Sequence, residues 1–220
     1  MTRVLLVRHG QSEWNADGRW QGQADPALTD LGRAQARHAT RALGQVDAIV
    51  ASDLQRAAET AAIISEVLGI GPVECLPQLR ERHAGEWQGL TRAEIERDWP
   101  GYLERPPPVE GTAEALGPAA QAASTPGSRR RPPGWESDES VVDRAIEALA
   151  LVHALVSDGE VLVVTHGGLM YALERLLGAP FLRLPNLGGR WLEVGPEGPT
   201  ALGERVVLVD PDELTVPEQI

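Results

Sequence analysis

Two stretches far apart in the chain share one design, and it restricts what this polypeptide can become. Val4-Leu5-Leu6-Val7 runs straight into Arg8-His9-Gly10, and Val161-Leu162-Val163-Val164-Thr165 into His166-Gly167-Gly168. Short unbroken apolar runs of this kind read as strands buried on both faces, which is the pattern of a parallel sheet covered by helices. In open α/β sheets ligands sit just beyond the carboxyl ends of the strands. Both runs deliver a histidine and glycines to that position. If the two strands are neighbours, the two histidines converge on one pocket. Taken singly, each His-Gly pair also fits a capping group at a loop.

The side chains delivered there favour an anion. Arginine offers a planar fork of donors, and histidine serves as nucleophile or proton carrier near neutral pH. Gly167 and Gly168 leave backbone N–H groups accessible at a helix start, over 169–177, which suits an oxyanion. A third run, Ala48-Ile49-Val50-Ala51-Ser52, ends at a residue placed to N-cap a helix over about 54–68. Arg56 falls in the first turn of that helix, where a cation opposes the positive end of the macrodipole. An anionic ligand shared by Arg56 and the helix start removes the conflict; a solvated surface arginine is the plainer alternative.

Arg8-His9-Gly10-Gln11-Ser12-Glu13-Trp14-Asn15, Ser52-Asp53-Leu54-Gln55-Arg56-Ala57-Ala58-Glu59-Thr60, Leu79-Arg80-Glu81-Arg82-His83-Ala84-Gly85-Glu86-Trp87-Gln88-Gly89 and Thr165-His166-Gly167-Gly168 together resemble the histidine phosphatase superfamily, the group that includes cofactor-dependent phosphoglycerate mutase. Glu81 to Gly89 and Leu187-Gly188-Gly189-Arg190-Trp191 are similar, more narrowly, to its phosphatase branch of broad-specificity and glucosyl-3-phosphoglycerate phosphatases. The resemblance implies a three-layer α/β/α sandwich, mainly parallel, with one antiparallel edge strand. It also implies phosphomonoester hydrolysis through a phosphohistidine, without metal or other cofactor. His9 is then the nucleophile and Glu81 the proton donor. Arg8, Arg56 and His166 surround the phosphoryl oxygens, with Asn15, Gln21, Gly22 and Gly167 as further phosphate contacts.

The chemistry of the residues agrees. Neutral His9 can attack phosphorus through one ring nitrogen while the other donates to a backbone carbonyl, which fixes the tautomer. Guanidinium groups stabilise charge on the equatorial oxygens, and a carboxyl serves the leaving alkoxide. His83, two residues beyond Glu81, is a candidate for the substrate mouth. His38 and His153 lie in amphipathic helical patterns and read as structural. Thr91-Arg92-Ala93-Glu94 is a capping box opening a helix to Trp99. Trp14, Trp20, Trp87 and Trp135 flank the motifs as core, rim or substrate contacts.

Composition narrows the partners. A net charge of −12 argues against nonspecific nucleic-acid binding, which needs a cationic surface, and makes arginines gathered in one pocket more telling. All 20 basic residues are arginine. No run approaches the ~20 apolar residues of a membrane span, no signal region precedes the first strand, and Cys75 is the single cysteine. The expectation is a cytoplasmic enzyme acting on a small phosphorylated metabolite, with no nucleic-acid or membrane partner and a homodimer as the default assembly. His-x-His, His-Glu-x-x-His and paired cysteines are missing, so the sequence points to no metal.

At 220 residues the chain suits one domain, 1–220. Pro106-Pro107-Pro108 opens an insertion rich in Pro, Ala, Gly and Arg at about 106–133, read as solvated linker or as a lid, with a weak helical turn at 113–123 and the Arg129-Arg130-Arg131 run near its end. Gly134-Trp135-Glu136-Ser137 stands imperfectly in the place of the family's Gly-Glu-Ser. Ser140 or Asp138 is the expected cap of a helix over 141–156. Strands at 191–194 and 205–209 and a frayed acidic tail from 210 complete the pattern. Two other functions stay open. One is a phosphoglycerate mutase, disfavoured by the short 85–99 stretch and by Gly167-Gly168. The other is a catalytically silent phosphate-binding module.

Overall fold

The computed structural model describes residues 1–103 and 130–209. Most of the expected insertion, the turn at 113–123, Arg129 and the acidic tail lie outside the described residues.

The three apolar runs form the middle of a six-stranded sheet. Strands β1 (Thr2–Arg8), β2 (Ala48–Ser52), β3 (Glu74–Leu76), β4 (Gly159–Thr165), β5 (Gly188–Gly195) and β6 (Gly198–Val207) lie in the order β3-β2-β4-β1-β5-β6. β1 pairs with β4, β4 with β2, and β2 with β3, all parallel. β5 alone runs against its neighbours, and its hairpin with β6 closes that edge.

Both faces of the sheet are covered, as unbroken apolar strands require. Val4 and Leu6 of β1, with Val161 and Val163 of β4, pack under α5 (Asp138–Leu155) and α6 (Gly167–Leu176) through Val141, Ala145, Leu149, Leu169 and Leu173. Leu5 and Val7, with Leu162 and Val164, face α2 (Asp30–Ala39) and α3 (Gln55–Leu68) through Ala39, Ala57, Ala61 and Ile64. This is the three-layer arrangement the sequence implies.

Three local expectations are corrected. Ser52 does not cap α3. Leu54 is the N-cap residue and makes no side-chain cap bond, while the Gln55 N–H is taken by the Asp25 carboxylate at 2.7 Å, from 30 residues away. α5 begins before 141, with Ser137 as its cap accepting the Ser140 N–H at 3.1 Å. β6 starts at Gly198 rather than near 205; the part before 205 contains Gly198, Pro199 and Gly203, residues that a propensity reading discards. The Thr91–Glu94 capping box opens a helix, α4 (Arg92–Asp98), as expected.

Candidate active site

Strand register decides the geometry of the two histidines. Arg8 stands opposite Thr165 in the β1–β4 ladder, so the next residues, His9 and His166, emerge side by side at the carboxyl end. The His9 N–H extends the ladder by one bond to the Thr165 carbonyl at 3.0 Å. The two imidazole rings meet edge to face, 5.1 Å between centroids. β2 lies on the other side of β4, so α3 starts at the same rim and carries Arg56 to it.

His9 is 2 % exposed. Its Nδ1 lies 2.6 Å from the Gly10 carbonyl, which can only accept, so Nδ1 carries the proton and Nε2 is bare. Arg56 donates Nε–H to that bare nitrogen at 3.2 Å. Burial, then the charges of Arg56 and Arg8, hold the His9 imidazole well below its ordinary range, so it is neutral at physiological pH. His166 is displaced the same way by burial, with Arg56 the next cause.

The two arginines are buried without an ionic partner. Arg8 donates Nη1 to the Leu184 carbonyl at 2.8 Å; Arg56 donates Nη1 to Ala24 at 2.7 Å and Nη2 to Gly22 at 2.9 Å. Among the described residues neither forms an ion pair. Burial pushes the Arg56 guanidinium down to about 10, still a cation at neutral pH, and lowers Arg8 in the same direction. An unpaired buried cation is costly unless an anion joins it.

Four polar groups here are buried with no hydrogen-bond partner among the described residues: Arg8 Nε, Asn15 Nδ2 and both ring nitrogens of His166. Buried polar atoms are rarely left this way unless a ligand, an ion or water completes them. Asn15, on the short helix α1 (Glu13–Ala16), is held for the task. Its Oδ1 accepts from the Ser12 N–H and from Asn186 Nδ2, and Asn186 also donates to the His9 carbonyl at 2.9 Å.

Glu81 reaches the same rim from the loop after β3. Its Oε2 accepts the Gly168 N–H at 3.0 Å and its Oε1 the Arg82 N–H at 2.7 Å. A Cβ on Gly168 would lie 2.3 Å from Glu81 Oε1, so only glycine lets the carboxylate approach the start of α6. Gly167 is the first residue of α6, where backbone N–H groups have no intrahelical acceptor.

The structure therefore brings together Arg8, His9, Arg56, His166, Glu81, Asn15 and Gly167. Gln21 is buried with its Oε1 accepting from Ser12 Oγ at 2.7 Å. Gly22 serves the site through its carbonyl, at φ +51, where a Cβ would meet the Ala84 nitrogen at 2.8 Å. His83 is exposed on the Glu81 loop, its Nδ1 3.0 Å from the Gly85 nitrogen. Trp20, Trp87 and Trp135 meet edge to face, with ring centroids 5.3–5.7 Å apart, as a small core rather than a platform. His153 is structural, bonded to Thr2 Oγ1 at 2.8 Å. Sequence reading missed Asn186, Leu184, and Thr60, which accepts the Gly10 N–H at 3.1 Å. Each acts on a residue distant in sequence, so no local pattern could have announced it.

Comparison with known proteins agrees with the geometry. The chain matches the histidine phosphatase superfamily (branch 1) over residues 4–117 and 107–201, and it belongs to that family. A glucosyl-3-phosphoglycerate phosphatase of Mycolicibacterium vanbaalenii is 40% identical over 200 residues, covering 85% of this chain and 79% of that protein. A metal-independent phosphoserine phosphatase of Arabidopsis thaliana is 35% identical over 176 residues, covering 79% of this chain and 67% of that protein. The solved structure of a mycobacterial glucosyl-3-phosphoglycerate phosphatase complexed with VO3 superposes with a TM-score of 0.73 at 33% identity, covering 92% of this chain and 97% of that one.

Proposed function

We propose that the enzyme hydrolyses a small phosphomonoester by a metal-independent, two-step transfer through phosphorylated His9. The observation that carries this reading is the set of buried donors without acceptors around a neutral imidazole: Arg8 Nε, Asn15 Nδ2 and His166 beside His9 Nε2. A tetrahedral dianion supplies the missing acceptors and the missing negative charge together.

In the first step His9 Nε2 forms a bond to phosphorus as the bond to the leaving oxygen breaks. Nδ1–H stays on the Gly10 carbonyl, which steadies the positive charge that develops on the ring. Arg8, Arg56, His166 and Asn15 hold the equatorial oxygens, so charge is stabilised by groups already in place. Glu81 gives a proton to the leaving alkoxide. In the second step water attacks phosphorus, Glu81 takes its proton, and the P–N bond breaks to restore neutral His9. Two guanidinium groups supply the electrostatics that a metal ion would otherwise provide. Among the described residues no three His, Cys, Asp or Glu side chains are grouped to hold one.

The relatives named above act on phosphate esters of small acidic metabolites, glucosyl-3-phosphoglycerate and phosphoserine, and this chain's substrate is of that class. Cys75 is its single cysteine, in keeping with a reducing cytoplasm. A panel of such esters, with a generic aryl phosphate and with 3-phosphoglycerate plus its bisphosphate, tests the reading. Phosphate release supports it. Formation of 2-phosphoglycerate without net hydrolysis would make the enzyme a mutase, and silence with every ester would leave a binding module.

A further inference from the structure

The proton donor is held by something outside the phosphate pocket. Arg144, on the second turn of α5, inserts its guanidinium between that helix and the loop bearing Glu81. Nη1 donates to the carbonyls of Gln78, at 2.8 Å, and Arg80; Nη2 donates to the carbonyl of Glu81 itself at 3.2 Å. These carbonyls bracket the backbone from which the acid projects. The Arg144 side chain is 17% exposed, and it is fixed from behind by Glu136 in a two-point pair, Nε to Oε1 at 2.7 Å and Nη2 to Oε2 at 2.9 Å.

Glu136 is itself tightly placed. It accepts the His83 N–H at 2.9 Å and the Ser140 hydroxyl at 3.1 Å, so it grips the Glu81 loop two residues beyond the acid. Although burial opposes it, the Arg144 guanidinium holds the Glu136 carboxyl below its ordinary range, so the pair stays charged at neutral pH. Arg82 adds a third strap, from its Nη1 to the Glu136 carbonyl at 2.8 Å. The rigid body is α5, packed into the core through Val141, Ala145 and Leu149.

This is more than loop packing because of what lies at the other end. The Glu81 carboxylate meets the start of α6 at Gly168 with no room to spare. Proton transfer needs the acid within hydrogen-bond reach of the leaving oxygen, and an error of about 1 Å can cost 10²-fold. We infer that Arg144, locked by Glu136, is a positioning residue for proton transfer: it sets where the Glu81 carboxylate stands above the phosphoryl group, without touching substrate. The inference rests on the acid role given to Glu81 above.

The test measures kcat/KM for Arg144→Ala, Glu136→Gln, Glu81→Ala and Arg144→Ala/Glu81→Ala across phosphate esters graded from activated aryl to alkyl. Wild-type turnover, with Glu81→Ala hurting alkyl esters far more than aryl esters, establishes the acid role independently. On that footing Arg144→Ala is expected to lose roughly 10–100-fold on alkyl esters but only a few-fold on activated aryl esters. In the Glu81→Ala background it is expected to lose almost nothing further, because the group it positions is gone. Glu136→Gln keeps a hydrogen-bond acceptor of the same shape and should show the same leaving-group dependence at smaller size; it stands in if Arg144→Ala does not fold. A merely structural role would lower all esters alike and add fully to Glu81→Ala. Either result would overturn the positioning role while leaving the phosphatase reading intact.

Discussion

Arg56 donates Nε–H to His9 Nε2 across 3.2 Å, so the lone pair proposed to attack phosphorus is also the acceptor of a buried cation's hydrogen bond. The contact holds the ring in orientation and helps keep it unprotonated. It also has to be exchanged, because a nitrogen that is accepting a hydrogen bond cannot bond to phosphorus. A phosphate oxygen is the stronger acceptor for a charged donor, so on the proposed mechanism substrate would draw Arg56 off His9 and onto itself.

Arg56→Lys separates charge from shape. The guanidinium spends two nitrogens on the Ala24 and Gly22 carbonyls and aims the third at His9. An ammonium on a flexible stem cannot reproduce that fork. We expect kcat/KM for phosphate release to fall about 10²–10³-fold, the range for removing one aimed donor, with the circular dichroism spectrum kept. A variant within threefold of wild type would show that charge alone suffices.

Removing the proposed nucleophile should be absolute by comparison. His9→Ala is expected to abolish turnover of every ester, aryl or alkyl. Rapid acid quenching of wild type should be avoided in favour of alkaline trapping, since phosphorus–nitrogen bonds are acid-labile. Labelled phosphate should then stay with wild-type protein and be lost in His9→Ala. Full labelling in the variant would place the phosphoryl group elsewhere.

The parts of the site carried by strand ends were legible in the sequence because a strand's direction fixes where its next residue goes. Once β1 and β4 are parallel neighbours, His9 and His166 must meet. Arg56 was legible through its awkward place at a helix start. The supporting shell was not. Asp25 caps a helix 30 residues away, Asn186 reaches His9 across 177, and Arg144 grips a loop 63 residues before it. β3 was also missed. It has three residues, none of them buried, and it forms only because β2 offers an open edge. The imperfect Gly-Trp-Glu-Ser acquires its reason in three dimensions: Glu136 holds Arg144, and Ser137 caps α5.

The two glycines that open α6 are predicted to behave differently. A Cβ on Gly168 falls 2.3 Å from Glu81 Oε1, whereas on Gly167 the nearest atom is Tyr171 Cε2 at an ordinary 3.5 Å. Gly167→Ala keeps its backbone N–H for phosphate and should lose less than about threefold in activity. Gly168→Ala must push the carboxylate away and should lose about 10-fold or more on alkyl esters, on the scale of a misplaced general acid. Equal effects would mean that Glu81 is free to move aside.

Stability should fall as the medium turns acid, and by a route that does not involve carboxylates at first. His9 and His166 are both held well below the ordinary histidine range by burial and by the neighbouring guanidinium charges. In the unfolded chain each takes up a proton near pH 6.5; in the native fold neither does until far lower. Below that point the unfolded state binds more protons, so unfolding free energy drops as pH falls, by about 1.4 kcal/mol per pH unit for each imidazole that stays neutral. Above about pH 6.5 the two states bind equally and this dependence vanishes. Asp53, whose carboxyl is lowered by its Arg80 hydrogen bonds, adds a loss of the same sign, but only as pH falls below its ordinary value of 3.8. Urea titrations between about pH 7 and pH 5 should therefore isolate the histidines. Replacing either, as His166→Gln or His9→Ala, should remove close to half of the slope that the pair contributes in that window. A wild-type midpoint flat from pH 7 to 5, or a slope that neither substitution changes, would mean that the imidazoles take up protons in the native fold, and His9 would then not stand ready as a neutral nucleophile.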